Sequence, residues 1–227
     1  MIWWVLPGYV VAFTTRIGGV SEAPYDSLNL SRGTGDDPVR VEHNRRIACE
    51  EIGVPYERLA FNRQVHSPTV HRAEPGVRGA PGDGLWTDER DLPLLAMSAD
   101  CLPIVVAATD GTPRLAVLHA GWRGLAEGVV EAGVAALGAG AKAAVVGPAI
   151  GPCCYEVGPE VSQRYDADLT RDGRLDLWTA AERALRRAGV DQVERVDLCT
   201  RDHPELFFSH RRDGLARGVQ GVIGAVA

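Results

Sequence analysis

Residues 93–124 have the sequence PLLAMSADCLPIVVAATDGTPRLAVLHAGWRG, and this stretch carries the clearest indication of the fold. Its first half is a long apolar run interrupted around Cys101, and Pro103 argues against an uninterrupted central strand there. In the second half, apolar side chains alternate along RLAVLH, which predicts a strand with His119 on the same face as two aliphatic residues. The motif GWRG then predicts a turn into a helix.

The sequence on either side predicts a mixture of strands and helices. Strands are predicted over residues 9–15, 59–71, 143–146, 193–199 and 206–209, with a loop over residues 74–84. Helices are predicted from Pro38 to the stop at Gly53, over a segment with Leu125, Val129, Ala132 and Ala136 on one side, and over residues 177–188. Because strands and helices follow no strict βαβ rhythm, the predicted fold class is α+β, or mixed α/β, in one domain covering residues 1–227.

The charge balance and the cysteines narrow the classes of function. Lysine and arginine number 24 against 30 acidic residues, without a basic stripe, so nucleic acid is not a predicted partner. The apolar start MIWWVLPGYVVAF lacks the basic segment of a signal peptide and the roughly 20 apolar residues of a membrane helix, so we predict strands and no membrane association. Five cysteines, an odd number with two adjacent, favour a reducing, cytoplasmic location over a disulfide framework.

Three segments carry metal-ligating side chains at the ends of predicted strands: QVH at His66, SADC at Cys101 and LHAGWRG at His119. Zinc favours imidazole nitrogen and thiolate sulfur, and a catalytic zinc site keeps three protein ligands plus a water. The alternative is that Cys101 is a small buried hydrophobic residue and that the histidines are hydrogen-bonded structural residues. The residue types alone leave both interpretations open.

A resemblance extends over nearly the whole chain. From Phe13 onward the sequence resembles the laccase-domain family, labelled polyphenol oxidases and also purine nucleoside phosphorylases. The motifs that carry the resemblance occur in order: FTTRIGGVSEAPYDSLNLSRGTGDDPVRVEHNRR, NRQVH, GDGLWTD, SADCLPIVV, VLHAGWRGL, GPAIGPCCYEVG, LDLWTAAERALRRAGV and LCTRDHPELFFSHRRDG. The chain departs from the family pattern at Ser67, where glycine is common, and at Arg217-Gly218, where the Gly-Arg order is reversed.

The resemblance implies that His66, Cys101 and His119 bind a catalytic zinc ion. It implies phosphorolysis of adenosine, inosine and methylthioadenosine, with adenosine deamination as a second activity, and therefore purine nucleosides and phosphate as small-molecule partners. It also implies a layered α/β/β/α fold that is shared with cysteine hydrolases related to a deamidating toxin.

Four further residues are candidates for substrate binding and catalysis. Arg16 in the TTRIGG loop and Arg123 beside His119 are the cations placed to bind phosphate, because a guanidinium group matches the geometry of a phosphate. Asn29 and Asn44 lie in matching segments and are predicted to hydrogen-bond the ribose or the base. Each of the four also has a structural alternative: an ion pair or solvation for the arginines, and a turn or helix cap for the asparagines.

Two other enzyme classes remain open from the sequence. In a metal-free cysteine hydrolase or amidase, Cys101 would be the nucleophile and His119 its base. In a copper-dependent polyphenol oxidase, the same His₂Cys set would hold a copper ion. The oxidase is the weaker alternative, because multicopper oxidases use many more histidine ligands than the six histidines here supply.

Overall fold

A computed structural model describes all of residues 1–227, and its strands form two six-stranded sheets and one two-stranded sheet. The strands are β1 Ile2–Trp4, β2 Tyr9–Phe13, β3 Ala60–Arg63, β4 Val70–Arg72, β5 Arg78–Pro81, β6 Gly84–Thr87, β7 Leu94–Ser98, β8 Leu102–Ala108, β9 Leu115–Ala120, β10 Lys142–Val146, β11 Thr170–Arg171, β12 Arg174–Leu175, β13 Gln192–Arg195 and β14 Gln220–Val226. The helices are α1 Pro38–Ile52, α2 Trp122–Ala126, α3 Val129–Ala136, α4 Pro159–Ser162, α5 Leu177–Arg187 and α6 His210–Asp213.

Both large sheets are mixed. The first sheet has the order β1-β2-β14-β7-β3-β5, and the second has the order β13-β10-β8-β9-β6-β4. Most neighbouring strands are antiparallel, but β3 runs parallel to both β5 and β7, β10 to β13, and β4 to β6. The prediction of a mixed α/β fold is confirmed. None of the helices has the length and apolar character that a membrane crossing requires.

The two large sheets pack face to face, and helices cover both outer faces. Between the sheets lies an apolar core that includes Phe13 and Leu94 from the first sheet and Val105 and Val117 from the second. Helix α1 packs on the outer face of the first sheet, whereas α3 and α5 pack on the outer face of the second. The layers therefore follow the order α/β/β/α.

Strand β9 shows how the sequence pattern produces this layering. Ala116 and Leu118 face the helices, whereas Leu115 and Val117 face the other sheet. His119 follows the same alternation and lies on the same face as Leu115 and Val117, as predicted, and that face is the one between the sheets. The helix predicted after Pro38 is also confirmed, because Asp37 caps its start and Gly53, with a φ of 79°, ends it.

Several predicted elements differ from the structure. Pro103 lies inside β8, a central strand, where it is tolerated near the strand start while its carbonyl accepts a hydrogen bond from the Gly147 amide. The helix after GWRG is two helices, because Gly128 between α2 and α3 adopts a φ of 94°. The buried row of α3 is Val129, Val130, Gly133 and Val134, so Ala132 and Ala136 are not in it.

Strand β14, the last strand in the chain, was not predicted, and the strand predicted over residues 206–209 is absent. Residues 206–209 form no strand, because Phe208 bonds through both its amide and its carbonyl to the side chain of Gln220. Strand β14 lies centrally between β2 and β7, although its glycines are unusual in strands. Gly221 is needed there, because a Cβ would lie 2.4 Å from the carbonyl oxygen of Ala96. Strand β5 lies within the segment predicted as a loop.

Candidate active site

The three predicted ligand residues meet at one end of the sandwich. Their ligand atoms all lie within 4.8 Å of one another, and His66 Nε2 is 3.9 Å from Cys101 Sγ. Cys101 occupies the turn by which the chain passes from β7 in the first sheet to β8 in the second. His119 is in β9, where it pairs with Pro103 of β8, and His66 follows β3 of the first sheet. The site is therefore assembled from both sheets.

Asp83 holds two of the three ligand residues in position. Its Oδ1 lies 2.8 Å from Nδ1 of the His119 ring and accepts a 3.0 Å hydrogen bond from the backbone amide of His66. Its Oδ2 accepts from the backbone amides of Val65 and Ser67 and from the Ser67 hydroxyl. This buried carboxylate therefore fixes the His66 loop and orients the His119 ring, as outer carboxylates do in metal sites.

The backbone is held in uncommon conformations at two points of the site. His66 has a φ of 60° and Asp100 a φ of 92°, both in the left-handed region that non-glycine residues rarely adopt. The Asp100 carboxylate accepts hydrogen bonds from the Thr200 hydroxyl, at 2.7 Å, and from the Arg211 amide, at 2.7 Å. These contacts anchor the turn that presents Cys101. Such conformations concentrate at functional sites.

Gly121 makes room for the three side chains. A Cβ at this position would lie 2.7 Å from His66 Cδ2 and 3.0 Å from Cys101 Sγ. The backbone of Gly121, with a φ of −74°, would accept any residue, so only the closeness of the site side chains requires glycine.

We therefore expect Gly121→Ala to displace His66 and Cys101 while the fold is retained. A displacement of about 1 Å at reacting groups lowers activity by roughly 10²-fold, and we expect a loss of that size with an unchanged unfolding temperature. Gly33→Ala is a matched control, because Gly33 lines the same cavity and its added methyl would meet only the Ser31 hydroxyl at 3.5 Å. Equal activity in both variants would show that Gly121 is not a steric requirement of the site.

Cys101 and His119 form an ion pair when no cation lies between them. Burial opposes the ionisation of both groups, but their mutual attraction outweighs it. The imidazolium of His119, together with the His66 ring, lowers the pKa of Cys101 to about 6. The Cys101 thiolate and the Asp83 carboxylate raise the pKa of His119 to about 9. The site therefore offers a thiolate at neutral pH, which is the form of cysteine that binds metals and acts as a nucleophile.

Alkylation of Cys101 should follow this lowered pKa. In chelator-treated protein, the rate of modification by iodoacetamide at Cys101 should rise to half its plateau near pH 6, since the thiolate is the reacting form above that pH. Cys153 serves as the internal control, because its side chain is accessible to the reagent, whereas partial burial of its sulfur and its contacts with Cys154 and Asp202 raise its pKa. Mass mapping of the modified peptides measures both rates. A midpoint above pH 8 at Cys101 would contradict the ion pair.

A cavity of about 870 Å³ opens onto the three ligand residues. Five arginines line it: Arg32, Arg45, Arg63, Arg78 and Arg217. Glu42 forms salt bridges with three of them, Arg32, Arg45 and Arg78. Arg63 and Arg217 have no carboxylate partner, and the buried Nε of Arg217 has no hydrogen-bond partner in the protein. Arg217 donates one hydrogen bond, from Nη1 to the Gly214 carbonyl at 3.1 Å. The cavity therefore contains two guanidinium groups without a carboxylate partner, which leaves them able to bind an anion.

The predicted substrate-binding residues lie elsewhere. Arg123 is exposed and packs over the ring of Trp122, outside the cavity. Arg16 lies in a separate surface cleft, where it pairs with Asp26 at 3.2 Å. Asn29 and Asn44 are fully buried, and the polar atoms of both side chains are hydrogen-bonded to other residues of the protein.

The two asparagines tie the irregular segment 16–35 to the rest of the chain. The Asn44 amide donates to the Ser21 hydroxyl and to two carbonyls, and its Oδ1 accepts from the Val20 amide. Asn29 donates to Asp36 and accepts from the Val219 amide. They thus support the cavity wall, which includes Val219, rather than line it.

Sequence reasoning missed Asp83, Gly121 and Arg63, and it noted Arg217 only as a departure from the family order. Asp83 stands in the motif GDGLWTD, where a carboxylate between two glycines is a signal that was available. Arg63 stands in NRQVH, three residues before His66. Arg217 is the residue at which the chain departs from the family order, and it still reaches the cavity.

The ligand set fits a zinc ion. One thiolate and two imidazoles are donors that zinc favours, and three protein ligands leave a coordination position open for a substrate. The Nδ1 atom of His119 is engaged by Asp83, so its Nε2 is the free donor. The other two donors, His66 Nε2 and Cys101 Sγ, already lie within reach of a common point. A soft ion such as copper would also accept this donor set.

Known proteins and a family model match this chain over most of its length. A family model described as multi-copper polyphenol oxidoreductase laccase matches residues 10–226. A purine nucleoside phosphorylase of Pseudomonas aeruginosa is 40% identical over 224 residues, covering 92% of this chain and 90% of that protein. The purine nucleoside phosphorylase YfiH of Escherichia coli is 36% identical over 228 residues, with 92% and 91% coverage. The crystal structure of YlmD from Geobacillus stearothermophilus matches with a TM-score of 0.89 and 33% identity, covering 97% of this chain and 92% of that one.

Proposed function

The chain belongs to the family described as multi-copper polyphenol oxidoreductase laccase, and from this membership and the geometry of the site we propose that it is a zinc-dependent purine nucleoside phosphorylase. The observation that carries the proposal is the convergence of His66, Cys101 and His119 in a cavity lined by arginines. Relatives of similar length bear the name purine nucleoside phosphorylase. The proposed substrates are adenosine, inosine and methylthioadenosine, with adenosine deamination as a second activity, in one cytoplasmic domain of residues 1–227.

In this proposal the parts of the cavity have separate tasks. His66, Cys101 and His119 hold the ion, and Asp83 keeps the His119 ring turned towards it. A zinc ion held there would supply a Lewis acid that polarises the group it binds. Free guanidinium groups bind the phosphate at the same cavity, and apolar surface for a flat purine comes from Phe61 and Met97.

The experiment that tests the function is product analysis with and without phosphate. Zinc-loaded protein is incubated with adenosine or inosine, and the released base and sugar are identified. The proposal expects adenine or hypoxanthine together with ribose 1-phosphate, formed only when phosphate is present and lost after chelation. Deamination of adenosine to inosine would appear without phosphate. No base and no deaminated product, at one zinc ion bound to the site, would refute the proposal.

Arg217→Ala should weaken the use of phosphate. A hydrogen bond to a charged group contributes about 1.5–3 kcal/mol, so its loss should raise the KM for phosphate by roughly 10- to 100-fold. The KM for the nucleoside at saturating phosphate should change little. Arg217 is selected because it is half-buried, lines the cavity and has no carboxylate partner.

Arg123→Ala is the matched control for Arg217. Arg123 is one of the two arginines that the sequence favours, but it is exposed and lies outside the cavity lining. Its removal should leave the KM for phosphate within about twofold of the wild-type value, because a solvated cation outside the cavity contributes little. The reverse result, a loss with Arg123→Ala and none with Arg217→Ala, would assign the phosphate to the outer arginine.

The second candidate function is a metal-free cysteine hydrolase, and one observation favours it. Cys101, His119 and Asp83 stand in the order of a nucleophile, a base and an orienting carboxylate. The predicted kinship with cysteine hydrolases stays a prediction. The arrangement does not explain the second imidazole, His66, whose Nε2 lies 3.9 Å from Cys101 Sγ and whose ring packs edge to face against that of His119. A hydrolase would keep its activity in chelator, whereas the phosphorylase would lose it.

Copper-dependent oxidation of phenols is the weaker alternative. Of the six histidines, only His66 and His119 reach the ligand cluster, which is too few for several copper ions. One copper ion would fit the His₂Cys set, because copper binds nitrogen and sulfur ligands more tightly than zinc. Copper-loaded protein that oxidises phenols but releases no base from nucleosides would favour this alternative.

A further inference from the structure

A second group of soft ligands lies outside the site described above. The sulfur atoms of Cys153, Cys154 and Cys199 and a carboxylate oxygen of Asp202 all lie within 4.8 Å of one another. None of these four residues belongs to the set of His66, Cys101 and His119. They are called the thiol cluster below.

The topology brings the thiol cluster together. Strands β10 and β13 are parallel neighbours, so the segments that follow them leave the second sheet at the same edge. A bridge between Ala149 and Cys199 extends their pairing, and the Thr200 amide donates to the Ala149 carbonyl at 3.1 Å. A tight turn over residues 151–154 is closed by a hydrogen bond from the Cys154 amide to the Gly151 carbonyl. This turn folds its two cysteines back onto the segment 199–202.

The donor atoms in the thiol cluster point at one another. Cys153 Sγ lies 3.2 Å from one carboxylate oxygen of Asp202, and Cys154 Sγ lies 3.1 Å from the other. Cys199 Sγ accepts a 3.3 Å hydrogen bond from the Gly151 amide, a contact that compensates the negative charge of a metal-bound thiolate. Cys154 and Cys199 are buried, whereas Cys153 and Asp202 are exposed. An ion can therefore enter from solvent and be shielded on its inner side.

We propose that the thiol cluster is a second metal site, which binds a soft or borderline cation such as Zn²⁺. Three thiolates and one carboxylate make a four-donor set of the kind that closes a structural zinc site. The preference for sulfur excludes Mg²⁺ and Ca²⁺, which take oxygen ligands. The four side chains complete the coordination sphere, so this site holds its ion without an open position for a substrate.

The position of the thiol cluster suggests what the ion does for the protein. Thr200 follows Cys199 directly, and its hydroxyl donates to the Asp100 carboxylate at 2.7 Å. Asp100 in turn precedes Cys101 in the left-handed turn of the first site. An ion that fixes the segment 199–202 would therefore stabilise the turn that presents Cys101, and the second site is structural rather than catalytic.

The test uses the reduced, chelator-treated full chain under anaerobic conditions, with Zn²⁺ for counting and Cd²⁺ for thiolate absorption. The wild-type chain should bind two ions, and Cys101→Ser should keep one tight ion with thiolate-to-cadmium absorption. Cys153→Ser and Asp202→Asn, both at exposed positions, should each bind one tight ion. Cys49→Ser is the control, because Cys49 is a buried residue of helix α1 in a different core cluster, and its substitution should leave the count at two.

A second measurement covers the case in which a variant folds poorly. In the Cys101→Ser chain, Zn²⁺ at 100 times its Kd should raise the Tm by about 5–10 °C, and the additional change Cys153→Ser should abolish that rise. One ion in the wild type with no thiolate absorption in Cys101→Ser would overturn the proposal. A Cys153–Cys154 disulfide that persists under reducing conditions and blocks Cd²⁺ binding would also overturn it. These outcomes do not depend on nucleoside turnover, so they are separate from the test of the phosphorylase.

Discussion

Replacing Cys101 with serine is expected to lower kcat/KM for phosphorolysis by roughly 10³-fold or more, while the chain stays folded. Serine keeps the size of the side chain but offers no thiolate, so the ligand set of the first site loses its only sulfur. The turn itself should persist, because it is held by the contacts of Asp100 with Thr200 and Arg211 and not by Cys101. Zinc content and base release should therefore fall together.

The control for Cys101 is the same substitution at Cys49. Cys49 is a fully buried residue of helix α1, packed towards the first sheet, and it is not among the cavity-lining residues. Cys49→Ser should retain kcat/KM within about threefold per folded molecule, even if the Tm falls, because a buried hydroxyl costs stability and not chemistry. Phosphate-dependent base release from Cys101→Ser at near wild-type rate would refute both the ligand assignment and the dyad alternative.

The same variant series separates the two enzyme classes. A metal-free cysteine hydrolase needs Cys101 and His119 but has no direct use for His66. In the zinc-dependent phosphorylase, His66→Ala removes one of three ligands and should lower both zinc affinity and activity. Turnover that survives His66→Ala and chelator, but not Cys101→Ser, would favour the hydrolase.

The sequence predicted the three candidate ligand residues, which the structure brings together, better than it predicted the residues around them, for a physical reason. Imidazole and thiolate groups at strand ends are chemically distinctive, and the resemblance covers nearly the whole chain. The contacts of Asp83 connect β6 with the loop after β3 and with β9, which depends on how two sheets pack. The motif GDGLWTD marks Asp83 as a candidate, but it does not show which distant residues the carboxylate contacts.

The cavity arginines illustrate the same limit. Arg123 adjoins the His119 motif in sequence, but the start of helix α2 turns its side chain to solvent. Arg217 is nearly 100 residues from His119 in sequence, and the fold brings it into the same cavity. Nearness in sequence is thus a poor guide where a turn into a helix separates neighbours.

The fold itself was predictable where the apolar pattern was regular. The alternation in β9 and the capped helix α1 follow local rules that operate within a few residues. Strand β14 was not predicted, because its glycines are required by a contact with a neighbouring strand and not by its own sequence pattern. Gly221 lets the Ala96 carbonyl approach the backbone closely. At residues 207–208 a strand was predicted that does not form. These two adjacent buried aromatic residues resemble part of a strand in sequence, but the Phe208 amide bonds to a side chain and not to a neighbouring strand.

Asp83→Asn is expected to reduce both stability and metal affinity. Asp83 accepts hydrogen bonds from three backbone amides, from the Ser67 hydroxyl and from His119, and an asparagine amide would turn a donor towards some of them. Burial alone would raise the pKa of Asp83, but the hydrogen bonds from His119 and Ser67 outweigh it and lower the pKa from 3.8 to about 2. By linkage this shift corresponds to about 2–3 kcal/mol of folding free energy at neutral pH.

The stabilisation that Asp83 contributes should depend on pH, and the direction of this dependence follows from its lowered pKa. Because the pKa of Asp83 is lower in the folded state, its contribution is fully present above pH 3.8 and disappears as the pH falls through about 2. The Tm of Asp83→Asn should therefore lie about 5–10 °C below that of the wild type at pH 7, and this difference should shrink as the pH falls below about 4. Zinc affinity should fall by roughly 10- to 100-fold, as it does when an outer carboxylate is removed from a metal-bound histidine.

Asp88→Asn is the matched control, from the same GDGLWTD motif. The Asp88 carboxylate is one-third exposed and pairs with Arg72 on the surface at 2.6 Å, an interaction that contributes about 0–1 kcal/mol. Its loss should change the Tm by no more than about 4 °C and leave zinc affinity intact, because Asp88 contacts no ligand residue. Equal zinc affinities and equal Tm values for Asp83→Asn and Asp88→Asn across this pH range would show that Asp83 does not organise the site. The orientation of the His119 ring would then have to come from the packing of β9 alone.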